Sequence, residues 1–520
     1  MDKPLEHRQA SWQRIARWML WGGHDGPSTY FVSRRLFLRL LGLVYLIAFA
    51  SLAVQIIGLI GERGILPAHE YLELLRERIG SDRFWKLPTI CWWWHSDAAL
   101  NGICWIGAGL SGLLIFGVAP IPILILLWAL YLSICSVGRD FLQFQWDTLL
   151  LETGLLAIFF APGNLWPQYR KESAVSLPAL FLIRWLLFRL MFLSGAVKLA
   201  SGDRTWHDMT ALTVHYETQP LAVWTSWYAH HLPLWFQKLS CGIMFFLELG
   251  LPFFIWGPRR FRQFACGGFV FLMILIGATG NYNFFNLITC VLCVTLLDDA
   301  ALARFVPRRW RQRVEVERPY RRPNRWLGLP MIAVAAMIFG LTWIEGWDRL
   351  HRGRQRATPG TLRTSVERVR EAVFPFRSLN SYGLFANMTE TRPEIVVEGS
   401  HDGREWFAYE FRWKAGGPSQ PPRFVQPHQP RLDWQMWFAA LRNYRSTPWF
   451  QQFLRRLLEG SPDVLALLDR NPFPNQPPKY VRALLYRYRF TDPKIRRETG
   501  QWWSREYLGV YCQPVSLQRP

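Results

Sequence analysis

Ionisable side chains inside long apolar runs are where this sequence could do chemistry. A charge in hydrocarbon is costly and marks a relay, a pathway or a fixed pair. Lys198 closes the apolar run Phe192-Leu-Ser-Gly-Ala-Val-Lys198. Burial disfavours an ammonium, so Lys198 is a candidate base. The plainer alternative is that its stem lies along the helix while the charge reaches the interface. Glu248 stands mid-run in Phe246-Leu-Glu-Leu-Gly-Leu-Pro252. Pro252 must kink that helix and free a carbonyl, and Glu248 is expected to meet Lys198 across the bundle. His215 with Glu217, and His207 with Asp208, are acid/base or metal-ligand pairs by type. Asp203, Trp206, Tyr216, His230 and His231 share the same connection. A zinc site needs three or four convergent ligands, and no fixed scaffold joins His207 to His215. No metal and no cofactor is expected.

A second polar cluster is Arg139-Asp-Phe-Leu-Gln-Phe-Gln-Trp-Asp-Thr-Leu-Leu-Leu-Glu152. On a helix Asp140, Gln143 and Asp147 share one face, and Gln145 and Glu152 another. Their simplest role is to pair with Arg139, Arg184 or Arg189 and hold a bundle together. Asn281, Asn283 and Asn286 line a broken segment between two apolar runs. Cys290 and Cys293 have redox spacing but sit inside a run with no charged neighbour, so they are expected to be packing residues. Cys91 and Cys512 are candidates for a bridge joining the loop 61–99 to the C-terminal domain.

The elements that must position these groups are membrane helices. The chain has 520 residues, is 50% hydrophobic and 19% charged, contains 28 Trp and carries a formal charge of +22. Such a composition excludes a disordered chain, and 8 Cys is too sparse for a disulfide scaffold. Basic residues lie between apolar runs rather than on one soluble module, so no nucleic-acid partner is expected. About 20 apolar residues cross a bilayer. Nine candidate spans are 36–60, 100–117, 121–138, 148–162, 177–199, 239–256, 264–279, 282–297 and 327–344, with 148–162 short enough to be re-entrant. The first 35 residues are polar, and no cleavable signal peptide is expected. Trp12, Ile15, Trp18 and Met19 recur at helical spacing, which reads as an interfacial helix or a short helix packed on the bundle. Lys/Arg-rich segments at the N-terminus, at 259–262 and at 304–325 fall on one side with nine spans, which makes that side the cytoplasm.

The predicted organisation is a cytoplasmic amphipathic N-terminus (1–35), a helical membrane domain (36–344), a linker (345–380) and an extracytoplasmic α+β domain (381–520), built as a small β-sandwich plus helices. Two β-rich runs flank the turn Ser400-His-Asp-Gly403. Short helices are expected at 433–444, 449–458 and 462–469, and strands at 480–490 and 507–517. Trp434, Trp437 and Trp449 are candidates for a client-binding surface, or for the domain's own core.

Several long stretches resemble the lipase maturation factors. They are Asp140-Phe-Leu-Gln-Phe-Gln-Trp-Asp-Thr-Leu-Leu-Leu-Glu-Thr-Gly154, Gly202-Asp-Arg-Thr-Trp-His-Asp-Met-Thr210, His215-Tyr-Glu-Thr-Gln-Pro220, His230-His-Leu-Pro233, Gly280-Asn281 and Leu297-Asp-Asp299. Arg392-Pro-Glu-Ile-Val-Val-Glu-Gly-Ser400 and Pro427-His-Gln-Pro-Arg-Leu-Asp-Trp-Gln-Met-Trp437 extend the match into the last third. The resemblance implies a polytopic protein of the endoplasmic reticulum membrane in animals. There it serves the folding of secreted lipases, with its C-terminal domain binding the client in the lumen. The C-terminal Ser516-Leu-Gln-Arg-Pro520 has no reticulum-retention signal, and heavy Arg usage suits a bacterial homologue whose outer domain is periplasmic. The partners implied are the bilayer and secreted clients, lipases among them. A fainter similarity, carried by Phe192–Leu199 with Trp206 and His230-His231, is to the membrane domain of vitamin K-dependent carboxylases. It implies that Lys198 matches their basic lysine. Three functions follow: a membrane-anchored maturation factor, a membrane-embedded enzyme using Lys198, His215 and Glu248, and a lipid-handling protein. No hydrolase or nucleotide-binding motif is present, which favours the first.

Overall fold

A computed structural model describes residues 28–167, 172–303, 325–350 and 361–517. The expected interfacial helix at Trp12–Met19 and most of the basic loop 304–325 lie outside the described residues. Among those described, six helices are long and apolar enough to cross a membrane: α1 (Phe31–Ala53), α2 (Asp97–Phe116), α3 (Pro120–Val137), α5 (Leu177–Ala200), α7 (Leu234–Trp256) and α8 (Arg259–Thr279). The three other expected spans are also helical. They are α4 (Gln145–Phe160, 16 residues), α9 (Phe285–Leu296) and α10 (Arg325–Leu350). The first two are shorter than a bilayer crossing needs. A small helix, α6 (Ala211–Thr218), lies in the connection between α5 and α7.

Large apolar side chains such as Trp105, Phe116, Phe253, Phe264 and Ile274 point outward from these helices, as expected where acyl chains supply the solvent. Close helix contact is made where a side chain is missing. A Cβ on Gly107 would lie 2.6 Å from the Phe49 ring, so α2 approaches α1 only because residue 107 is glycine. On the N-terminal face Asp299 accepts the backbone N–H groups of Phe31 (3.0 Å) and Val32 (2.7 Å), supplying the cap that Tyr30 cannot give. Asp298 binds Arg259 (2.5 Å) and Ser28 (2.9 Å) on the same face. The described part of the N-terminal segment and the segment 259–262 therefore lie together.

The C-terminal part contains helices α11 (Thr361–Val373), α12 (Arg431–Ala440) and α13 (Pro448–Glu459) and four strands: β1 (Arg392–Ser400), β2 (Phe407–Ala408), β3 (Tyr480–Phe490) and β4 (Trp503–Val515). All pairings are antiparallel, in the order β2-β1-β3-β4. Among the described residues this is one sheet covered by helices, not the expected sandwich. Helices α12 and α13 supply the second layer that a sandwich would have given. Strand β4 begins four residues earlier than expected.

Segment 374–388, expected within or beside a linker, is packed into the bundle. Tyr382 is fully buried, and its hydroxyl donates to Glu152 (2.6 Å). Trp206 Nε1 donates to the Phe385 carbonyl (3.0 Å), and Met388 N donates to Asp203 (2.6 Å). One continuous apolar core runs from Leu52 and Trp146 in the bundle to Trp434, Phe450 and Val481 outside it. Cys91 and Cys512 are both free, which corrects the candidate bridge. Cys91 is buried in the turn Ile90–Trp92, anchored to α3 by Ile90 N on Ser133 Oγ (3.1 Å), whereas Cys512 is buried on the edge strand.

Candidate functional site

The polar residues of the bundle fall into two connected groups. The first is a seam between the bundle and the outer domain. Its deepest contact is Asp147 at the start of α4, whose oxygens accept from Arg431 Nη2 and Nη1 at 2.8 and 3.0 Å. Tyr131 adds a hydroxyl at 2.6 Å. Both charged side chains are 1% exposed. Removing two ions from water repays its cost only with such complete pairing. Arg431 also donates to the Phe141 carbonyl (2.6 Å), and its backbone N–H donates to Gln55 (3.0 Å).

Arg392 performs a similar task from β1. Its guanidinium donates to the carbonyls of Glu217 (2.8 Å), Gln219 (2.5 Å) and Pro220 (3.0 Å), and Glu394 balances its charge at 2.7 Å. The segment His215–Pro220 thereby ends with its carbonyls satisfied by the outer domain. Asn281 works in both directions. Its Oδ1 accepts from Val425 N (2.9 Å) and Gln426 N (3.3 Å), while Nδ2 donates to the carbonyls of Arg423 (2.8 Å) and Leu221 (3.4 Å). Glu217 accepts from Phe490 N (2.7 Å), and burial holds its carboxyl above the usual range.

The second group lies beside the seam. Both Glu248 oxygens hold the Lys198 ammonium, at 2.8 and 2.6 Å, as the sequence predicts. Glu248 sits in a π-helical turn (Phe246–Gly250), a distortion that turns a side chain out of helical register. Gly195 lets this turn come close, since a Cβ there would lie 2.8 Å from Leu249. The Trp206 ring faces Lys198 Nζ at 5.2 Å. Nearby, Gln219 Nε2 donates to the Thr279 (2.7 Å) and Tyr216 (3.1 Å) carbonyls, so its Oε1 is an acceptor. Tyr282 donates to that oxygen (3.1 Å) and so accepts from His215 Nε2 (3.2 Å). The proton is therefore on Nε2, and Nδ1 of His215 is a buried lone pair without a hydrogen-bond partner among the described residues. Burial first, and then the Lys198 charge, pushes the His215 pKa down to about 4.

The remaining candidates are scattered around these groups. Glu152 pairs with Arg189, as expected, and with Asn380 and Tyr382. Asp140 and Gln143 do not share a helical face with Asp147. The chain makes a 3-10 turn over Arg139–Leu142, and α4 starts only at Gln145. Asp140 contributes a carbonyl to Gln435, Gln143 is exposed, and Arg139 stacks on Tyr71 at 5.1 Å. Gln145 bonds Gly383 through both amide atoms at 3.4 Å. His207 and Asp208 are exposed. His230 lies 3.9 Å from Glu217, and burial pushes its pKa down to about 4. His231 Nδ1 donates to the Trp227 carbonyl (2.7 Å).

The three tryptophans expected at a client surface are buried. Trp434 stands edge-on to Trp146 at 4.8 Å, Trp449 packs on Phe141 at 5.6 Å, and Trp437 donates to the Thr218 carbonyl (2.8 Å). They face the bundle because that is where the outer domain finds apolar area to bury. Arg431 and Arg392 were missed as site residues. The signal available was that each belongs to a long motif rich in carboxylate and carbonyl partners elsewhere in the chain.

Two family models match the chain: one described as lipase maturation factor transmembrane domain, over residues 32–304, and one described as lipase maturation factor C-terminal domain, over residues 378–513. Among curated relatives, a human protein named lipase maturation factor 2 is 39% identical, with 94% of this chain and 83% of that protein covered. A bovine lipase maturation factor 1 is 34% identical, over 94% of this chain and 90% of the relative. The mouse lipase maturation factor 1 is 33% identical, over 99% and 92%. No solved structure matches.

Proposed function

The chain belongs to the lipase maturation factor family, and on that premise we propose that it is a membrane-anchored maturation factor for secreted proteins, lipases among them. Nine helical segments traverse the bundle in this reading, with α4, α9 and α10 joining the six longer helices. The basic N-terminal face is cytoplasmic. The outer domain then stands where exported chains fold, in periplasm or reticulum lumen. The observation that carries the reading is the seam. Stretches shared with the family in both halves of the chain meet there, through Asp147 with Arg431 and through Asn281 with residues 423–426. They hold a polar domain rigidly on one face of the bundle, as a platform for a client requires.

The test is co-expression with a secreted lipase in cells that lack their own maturation factor. Secreted lipase activity should rise with the intact chain and stay at background with Asp147→Asn, although the lipase is synthesised equally. Equal activity with and without the chain would overturn the proposal.

A second reading, chemistry at Lys198, is favoured by the Nδ1 lone pair of His215 beside a buried ion pair on a π turn. For Lys198 to act as a base the pair with Glu248 must first open. If Lys198→Met supports lipase secretion as well as the parent chain does, this reading fails.

A further inference from the structure

Strand β4 is the long free edge of the sheet. The opposite edge, β2, has only two residues, whereas β4 has thirteen. Its pairing with β3 tells which backbone groups point outward. Thr491 N donates to the Trp502 carbonyl (3.1 Å), so 491 and 502 are a hydrogen-bonded pair. The register then places Phe490 opposite Trp503, Tyr488 opposite Arg505 and Tyr486 opposite Tyr507. Because bonded and non-bonded pairs alternate, the N–H and C=O groups of Trp503, Arg505 and Tyr507 face away from β3. At the start of the strand Trp502 N (2.9 Å) and Trp503 N (3.1 Å) share the Pro418 carbonyl. The cover stops there. Among the described residues, no backbone group of Ser504–Tyr511 bonds to a group outside the β3–β4 pairing.

Three features of this edge select its occupant. The outward main-chain groups, hydrated when the edge is empty, present the donor and acceptor pattern that another extended backbone pairs with. Tyr507, Leu508 and Val510 are 54%, 42% and 45% exposed, which offers apolar contact to alternate side chains of an added strand. The ribbon 479–517 carries eight Lys or Arg against three Asp or Glu, so an acidic segment is favoured over a basic one. We propose that the outer edge of β4 holds an extended, net-acidic segment of a secreted protein that has not yet folded, as a fifth strand beside Arg505 and Tyr507. This rests on the maturation reading and supplies its binding mode. A folded client has few such segments free, so the edge distinguishes unfolded from finished protein.

The test uses the full chain in detergent, with a photo-crosslinking phenylalanine analogue at Tyr507, at Val510 or, as a control off the strand, at Leu441. The probe is a secreted lipase diluted from denaturant, compared with the same lipase already folded. Crosslinks are expected at 507 and 510 with the unfolded lipase only, and not at 441. With the label at 510, Tyr507→Pro should abolish the crosslink, because it removes an outward N–H that β3 does not use. Tyr507→Thr keeps that N–H and should retain the crosslink. A thermal melt checks that both variants fold. Crosslinking at 441 as strong as at 510, a crosslink that survives Tyr507→Pro, or coupling at 510 to a second copy of the chain would each overturn the edge proposal. If the chain still raises lipase secretion in that event, only the edge proposal falls. If secretion is also unchanged, the maturation reading falls with it.

Discussion

Arg431, in the outer domain, makes a two-pronged ion pair with Asp147, 284 residues earlier at the head of a bundle helix. Each partner is almost fully buried, so each depends on the other for its charge balance. Arg431→Ala should therefore destabilise the detergent-solubilised protein by about 3–5 kcal/mol. The double change Asp147→Leu with Arg431→Met should cost less than either single one, because no lone charge is then left behind. Thermal melts of the three variants check this. Additive losses would show that the pair does not act as a unit.

Asn281 satisfies backbone groups on both sides of the seam. In Asn281→Ala, the N–H groups of Val425 and Gln426 lose their acceptor, at a cost of about 1–3 kcal/mol. Faster protease cleavage within 415–430 at a bundle melt little changed is the expected signature. A cleavage rate equal to that of the parent would contradict it.

Tyr382→Phe leaves the ring packed and removes only the hydroxyl that Glu152 accepts. A hydrogen bond to a buried charged group is worth about 1.5–3 kcal/mol. A drop in melting temperature is expected, and Tyr382→Leu, which also alters the packed volume, should lower it further. If Tyr382→Phe melts with the parent, segment 374–388 is held by packing alone.

Acid should loosen the junction between the bundle and the outer domain. His215, His230 and His428 have pKa values pushed down to about 4, in each case chiefly by burial. The unfolded chain binds protons at these sites from about pH 6.5 downward, while the folded chain does not until about pH 4. Their stabilising contribution is thus complete above pH 6.5 and is lost as pH falls toward 4. Asp433, whose pKa burial raises to about 6, and Glu217, which burial also raises, work in the opposite sense as pH falls, but they are two groups against three. Melting temperature should fall between pH 7 and pH 4.5, and His230→Gln should flatten that fall. A melt that rises on acidification would refute the assignment.

The residues explain how much of this was legible in advance. Lys198 with Glu248, and Glu152 with Arg189, were foreseeable because a charge inside an apolar run has few partners to choose from. The helical segments and the strands at 392–400 and 480–490 followed from apolar runs and alternation. Arg431 was hidden because it lies in a polar stretch where arginine is ordinary, and nothing local points to a carboxylate hundreds of residues away. The tryptophans stayed open between client surface and core for a related reason. Periodicity shows which face of α12 is apolar, not whether that face meets a client or the chain's own bundle. The break at Arg139–Leu142 was missed because the run reads as continuous helix, whereas Arg139 adopts a φ of 44°.

The carboxylate of Asp299 that closes the amino end of α1 has one more implication. It is separated from Phe31 by 268 positions along the chain. During synthesis, the first membrane helix leaves the ribosome and enters the bilayer with its leading amide groups unclosed. It stays so until the seam of acidic residues beyond α9 has also been made. The earliest helix to insert is thus among the last to be finished, and chains terminated before residue 299 should be marked for degradation by an open helix end.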